Sequence, residues 1–250
     1  MQAQKCGWIQ NPPFVCAHGG DSSSAPPNTM AAYRLAVHSE VDCIEIDASR
    51  SRDGVLVALH DRDLQNMSGD NSAKTGNLNL SEIKRLDAGF GFSKGFQHQE
   101  VPTLEDALKF VSESVKTVIV DAKIGTPGSE EGLAADLLLV INRTQCRNCI
   151  LWAKTDSLGR ELKKLSHDVM VGYIVMKDPI TGIQSNLLRM ESAEVIGVYH
   201  VLVNDKLVAK AHRAGKKVYA WTVDNFYSMQ KMLFAGVDSI ITSRPQLLQQ

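Results

Sequence analysis

A chain of 250 residues with 27 Lys and Arg against 28 Asp and Glu carries a formal net charge of −1. That balance offers no basic surface of the kind a nucleic-acid partner requires. Its 44% hydrophobic and 22% charged content suits a soluble globular fold, and the length allows one large α/β domain or two small ones. No apolar run nears the ~18–20 residues of a membrane span, and MQAQKCGWIQ lacks the apolar core of a signal peptide.

In chain order, the first strand-like run is FVCAH (14–18), which ends in a histidine; a Gly- and Ser-rich loop and the helical stretch TMAAYRLAVHS follow it. The next run is VDCIEID (41–47). Only ASRSRDG separates it from VLVALH (55–60), too short for the crossover two parallel strands need. Asp53-Gly54 is a hairpin-turn signal, so the second strand is expected to run past the sheet, turn and return antiparallel. From Asp61 to Val101 the chain is rich in Asn, Ser, Asp and Gly, with one short helical piece, LSEIKRLD. A loop of this length is more often functional than idle, and 62–102 is expected to form a small cap.

Strands and helices then alternate: TLEDALKFVSES, TVIVDAK (117–123), EEGLAADLLLVINRT, CILWAK (149–154), LGRELKKLS, VMVGYIV (169–175), VIGVYH (195–200), DKLVAKAHRAG, KVYAWTV (217–223), FYSMQKMLFAG and VDSIIT (237–242). Several helices begin after Asn, Thr or Ser and stop at Gly, as caps require. The alternation predicts a parallel sheet with helices outside. With the hairpin's return arm set aside, eight strands remain. The expected fold is α/β, a (β/α)8 TIM barrel over residues 14–245, its last helix short or cut off near PQLLQQ.

Side-chain parity then locates chemistry. Glu45 and Asp47 are two apart and share a strand face, while Ile44 and Ile46 face the helices. The same parity turns Asp121 and Lys123 inward on the neighbouring strand. Three oxygen donors converging without Cys or His suggest a hard cation, Mg2+ or Ca2+; the competing reading is a buried acid–lysine network built on Lys123. His18 and His60 close two strands beside this cluster, and such a pair can supply general acid and base. The remaining histidines are read as structural, His200 at the end of VIGVYH least securely. Trp221 shares its face with Tyr219 and points inward, as core or as the apolar wall of a small-ligand pocket. Lys123 can hold an anion as a mobile point charge.

These residues resemble the glycerophosphodiester phosphodiesterase family from about Phe14 to Pro245. The family pattern AHRG, PENT, E-L-D, DG-x-x-V-x-x-HD, TLEE, E-x-K, WTVN and IITDRP has its counterparts here in AHGG (17–20), PPNT (26–29), EID (45–47), DGVLVALHD (53–61), TLED (103–106), DAK (121–123), WTVD (221–224) and IITSRP (240–245). The resemblance implies a barrel with a cap inserted after the hairpin. It implies metal-dependent cleavage of a glycerophosphodiester to sn-glycerol 3-phosphate and an alcohol. By motif, Glu45 and Asp47 match metal-binding acids, Asp121 stands for the third acid, and His18 and His60 match the acid/base pair. Lys123 matches a phosphate-contacting lysine and Trp221 a wall of the glycerol pocket. The attacking group, water or a substrate hydroxyl, is left open, as are the head group and the oligomeric state.

Three departures stand out. Asp121 replaces a glutamate, Gly19 replaces the arginine after the first histidine, and Pro27 replaces the glutamate of PENT. Arginine gives bidentate phosphate contact that glycine cannot, and the joint loss suggests that this Arg and Glu are partners. Competing readings are a lysophospholipase D-like phosphodiesterase and a binding or regulatory module that kept the fold. The five cysteines are an odd number and predict no disulfide framework. Cys146 and Cys149 are expected as loose thiols, and Cys16 and Cys43 as inward-facing thiols with no bridge. Sequons at Asn66, Asn79 and Asn142 hint at a secretory route.

Overall fold

The computed structural model describes residues 12–92, 94–125, 130–178 and 180–248. Its strands are β1 (Phe14–His18), β2 (Cys43–Arg50), β3 (Leu56–Ala58), β4 (Thr117–Ala122), β5 (Cys149–Ala153), β6 (Met170–Val175), β7 (Val195–Tyr199), β8 (Lys217–Trp221) and β9 (Ser239–Thr242). Its α-helices are α1 (Met30–His38), α2 (Asp61–Ser68), α3 (Leu80–Ile83), α4 (Leu104–Val111), α5 (Leu133–Thr144), α6 (Asp156–Leu165), α7 (Asp205–Arg213) and α8 (Phe226–Ala235). The sheet runs β1-β9-β8-β7-β6-β5-β4-β2, and β1 also pairs with β2, so eight parallel strands close into a barrel. β3 is the ninth strand, antiparallel on β2 with Ala48 opposite Ala58. The hairpin thus returns where Asp53-Gly54 puts the turn. The chain closes with a short 3-10 turn, Pro245–Leu248.

Alternation along the strands builds two cores. Ile44, Ile46, Val118, Val120 and Leu151 pack outward against the helices. Cys16, Ile119, Ile150, Trp152, Tyr219 and Ile241 fill the barrel interior. Two inward-facing glycines make room for Trp152: a Cβ at Gly172 would stand 2.3 Å from its Cδ1, and one at Gly197 2.9 Å from its Cη2. Helices start where local chemistry stops the strand-to-helix loops. Thr29, Thr155, Asn204 and Asn225 accept backbone N–H groups at the N-caps of α1, α6, α7 and α8. Between β3 and α4, the side chains of Leu64, Ile83 and Val101 bury against Val57 and Leu59, a third small core resting on the hairpin.

Both cysteine expectations are corrected here. Cys16 and Cys43 do face the barrel interior, but they are joined by a disulfide, because the β1–β2 register sets them directly opposite each other. Cys146 and Cys149 form a second disulfide across the α5–β5 turn. Cys6 lies outside the described residues.

Candidate active site

The C-terminal ends of β1, β2 and β4 bring the inward-facing polar residues together. His18 is level with Glu45, and Asp47 with Asp121. Glu45, Asp47 and Asp121 are all buried, and ligand oxygens from the three lie within 4.8 Å of one another. Each is held differently. Glu45 Oε2 accepts the Gly19 N–H at 2.9 Å. Asp47 Oδ2 accepts from the side chain of Asn28 at 2.7 Å, and its Oδ1 lies 2.5 Å from Lys123 Nζ. Asp121 Oδ2 meets both Lys123 and, at 2.9 Å, Lys154.

The acid–lysine network therefore exists, and it does not saturate the carboxylates. Asp121 Oδ1 is buried without a hydrogen-bond partner among the described residues. Three carboxylates facing two ammonium groups leave an excess negative charge in a buried place, which is costly unless compensated. The titration behaviour follows. Burial opposes charge on Asp47 and Asp121, but Lys123 outweighs it and holds both carboxyls below their ordinary range. Glu45 makes no ion pair among the described residues; burial and then the Asp47 charge push its carboxyl well up, against the pull of Lys123. Lys123 is itself driven up, since Asp121 and Asp47 overcome its desolvation. An all-oxygen set with an orphaned oxygen and an unfavourably charged third acid fits a hard divalent cation.

The histidines flank this cluster. His18 closes β1, with Nδ1 3.4 Å from Ser243 Oγ, and burial lowers its basicity. His60 is the N-cap of α2, its Nδ1 accepting the Arg62 N–H at 3.0 Å. That bond leaves only Nε2 free to exchange a proton with a substrate. Burial, then the nearby Lys123 charge, hold His60 down to about 4. Both imidazoles are thus uncharged at neutral pH. His18, His60, Glu45, Asp121, Lys123 and Trp221 all line one cavity of about 160 Å³. His200 is not among its lining residues; its ring meets Tyr199 edge-on at 5.0 Å.

Four residues of this region were not singled out from the sequence. Asn28 sits at φ +59°, which Asn tolerates better than most residues, and it both donates to Asp47 and accepts its backbone N–H at 3.0 Å. Its role comes from a left-handed turn that the motif PPNT does not announce. Lys154 and Trp152 line the cavity, and strand parity with Ile150 would have found both. Arg62 lines it from α2. The Gly19 position lies against Pro27: a Cβ at Gly19, where φ is +64°, would stand 3.3 Å from the Pro27 Cβ.

Residues 18–247 match the glycerophosphoryl diester phosphodiesterase family. Glycerophosphodiester phosphodiesterase GDPD4 of Arabidopsis thaliana is 53% identical over 247 residues, which cover 99% of this chain and 75% of that protein. A glycerophosphodiester phosphodiesterase of Caldanaerobacter subterraneus is 31% identical over 94% of this chain and 96% of its own length. Among solved structures, an Oleispira antarctica phosphodiesterase in complex with the product sn-glycerol-3-phosphate superimposes with a TM-score of 0.83 at 26% identity. The match covers 95% of this chain and 96% of that one.

Proposed function

The chain belongs to the glycerophosphoryl diester phosphodiesterase family, and from that premise we propose that it hydrolyses glycerophosphodiesters to sn-glycerol 3-phosphate and an alcohol with a divalent cation bound by Glu45, Asp47 and Asp121. The observation that carries this reading is the convergence of those three buried carboxylates beside a cavity that Glu45 and Asp121 line together with His18, His60 and Lys123. Held by Glu45, Asp47 and Asp121, Mg2+ or Ca2+ would supply positive charge to offset the charge that develops on the phosphoryl group. Lys123 and Lys154 add fixed positive charge on the same side. The binding of an anionic diester favours the protonated imidazole, so one histidine enters the reaction charged and the other neutral. The neutral one takes the proton of the attacking water or hydroxyl, and the charged one protonates the leaving alkoxide. For His60 that exchange runs through Nε2 once Nδ1 takes up a proton and releases the Arg62 N–H that it accepts in this structure. Trp221 and Trp152 wall the glycerol end, and the Trp221 indole N–H, which has no partner among the described residues, is available to donate to its hydroxyls.

Residues 62–102 act as a cap over the mouth, and the two disulfides together with the three sequons support an oxidising, secretory or lumenal setting. The test is release of sn-glycerol 3-phosphate from glycerophosphocholine. His18→Ala and His60→Ala are each expected to lower kcat by about 10²–10⁴, and EDTA to abolish turnover until Mg2+ or Ca2+ is restored. Turnover unchanged by EDTA refutes the metal assignment. Only the variant that lacks the general acid is rescued by a p-nitrophenyl leaving group, which needs no proton; rescue of both variants or of neither refutes the division of labour.

A further inference from the structure

The barrel-mouth cavity, at about 160 Å³, falls below the roughly 300–1,000 Å³ of pockets that enclose a whole small ligand. It suits one end of a diester. A second cavity of about 390 Å³ opens between the β1–α1 connection and the insertion after β3, with Pro27, Met67, Phe90 and Phe92 among its walls and Asp63 as the charged side chain among its described lining residues. Both structures that bear the catalytic histidines reach it. Pro27 packs against the Gly19 position that follows His18, and Asp63 lies within the first turn of the helix His60 caps, donating its N–H to the His60 carbonyl at 2.9 Å.

Asp63 is the unexplained feature. Its side chain is only 13% exposed, its Oδ1 lies 3.5 Å from the exposed Arg62, and its Oδ2 is buried without a hydrogen-bond partner among the described residues. A half-paired carboxylate in an apolar, aromatic-walled cavity is costly until a cation joins it. Arg62 is the cation paired with it among the described residues, and Phe90 and Phe92 line the same space. That combination suits a weakly hydrated cation rather than a strongly hydrated metal ion.

We propose that this cavity receives the alcohol end of the diester and selects one that carries a quaternary ammonium group, with Asp63 supplying the opposite charge and Phe90 and Phe92 the aromatic faces. The assignment rests on the diesterase reading, in which Lys123 and the carboxylate cluster hold the phosphate and the alcohol end extends past the adjoining Arg62 and Asp63, which line one cavity each.

The experiment compares glycerophosphocholine with glycerophosphoglycerol, whose alcohol is uncharged. The wild-type ratio of kcat/KM is expected to favour the choline diester, and Asp63→Asn to lower that ratio about tenfold, the factor that ~1.4 kcal/mol gives, chiefly through KM. Phe92→Leu, which keeps the cavity apolar, should lower it in the same direction and carries the test if Asp63→Asn fails to fold. A ratio unchanged in the folded variants overturns the assignment. Calorimetric titration with tetramethylammonium chloride, against sodium chloride as control, separates the two readings. Saturable binding weakened by Asp63→Asn in a protein that cleaves neither diester sustains the cavity and removes the diesterase reading. Cleavage of both diesters without such binding, and with an unchanged ratio, removes the cavity and leaves the diesterase.

Discussion

Asn28 reaches Asp47 twice, through its amide NH2 and through its carbonyl oxygen, so it fixes both the rotamer and the backbone of one proposed metal ligand. Truncation to Ala removes both bonds and leaves Asp47 with Lys123 alone, a geometry free to collapse toward the ammonium. Asn28→Ala is therefore expected to lower kcat at least tenfold and to raise the Mg2+ or Ca2+ concentration needed for half-maximal activity, whereas a merely structural role would lower Tm and leave the metal requirement unmoved. Gly19 is constrained in a different way. Its φ of +64° and the 3.3 Å approach of Pro27 penalise any side chain, by ~1–2 kcal/mol for the backbone conformation alone. Gly19→Arg is expected to reduce Tm by about 2–8 °C and to add no activity unless Pro27→Glu accompanies it. Full activation by Gly19→Arg alone would mean that the Arg and Glu of the family pattern act separately.

The strands carried most of what was legible in advance. CIEID and VIVDAK each show which residues point inward, because a strand's period of two needs no tertiary information. The clustering of Glu45, Asp47, Asp121 and Lys123 followed from that period and from strand adjacency. What escaped depended on register or on loop conformation. Cys16 and Cys43 were placed on the correct face, but whether their sulfurs meet depends on pairing of β1 with β2 residue by residue. Asn28 and Asp63 depend on turns and on a helix in the insertion. The β1–β2 bridge closes a separation of 27 residues, for which loop entropy gives about 3.5 kcal/mol of stabilisation. Reduction by dithiothreitol is thus expected to lower Tm by about 7–14 °C, and a thiol assay of the unfolded, unreduced chain should leave Cys16, Cys43, Cys146 and Cys149 unreacted. Four reactive thiols at those positions would restore the original expectation.

Across the whole molecule, folding confines three carboxylates, two lysines and two histidines in one small region, and pH reads out the consequence. His60 has an ordinary pKa of 6.5 and a native one of about 4, set by burial and then by Lys123; burial shifts His18 in the same direction. Between those values the unfolded chain binds a proton that the native state does not. The His60 contribution to stability therefore rises with pH through this window: it is fully present above about 6.5 and is lost progressively as pH falls toward 4, while the raised Glu45 carboxyl contributes in the opposite sense. For EDTA-treated protein, Tm is expected to drop across that range, with a shallower slope in His60→Gln. A slope as steep as that of the wild type would remove His60 as a cause. Divalent cation acts on the same balance from the other side. A cation that binds only the native carboxylates adds RT ln(1 + [L]/Kd), about 2.7 kcal/mol at 100 Kd, so saturating Mg2+ or Ca2+ should raise Tm by about 5–11 °C at pH 7.5. Lys123→Met removes the ammonium that now bridges Asp47 and Asp121 and leaves the carboxylates with Lys154 alone, so this variant should be the least stable without metal and gain the most on adding it. An equal gain in the variant and the wild type would mean that the ion binds elsewhere.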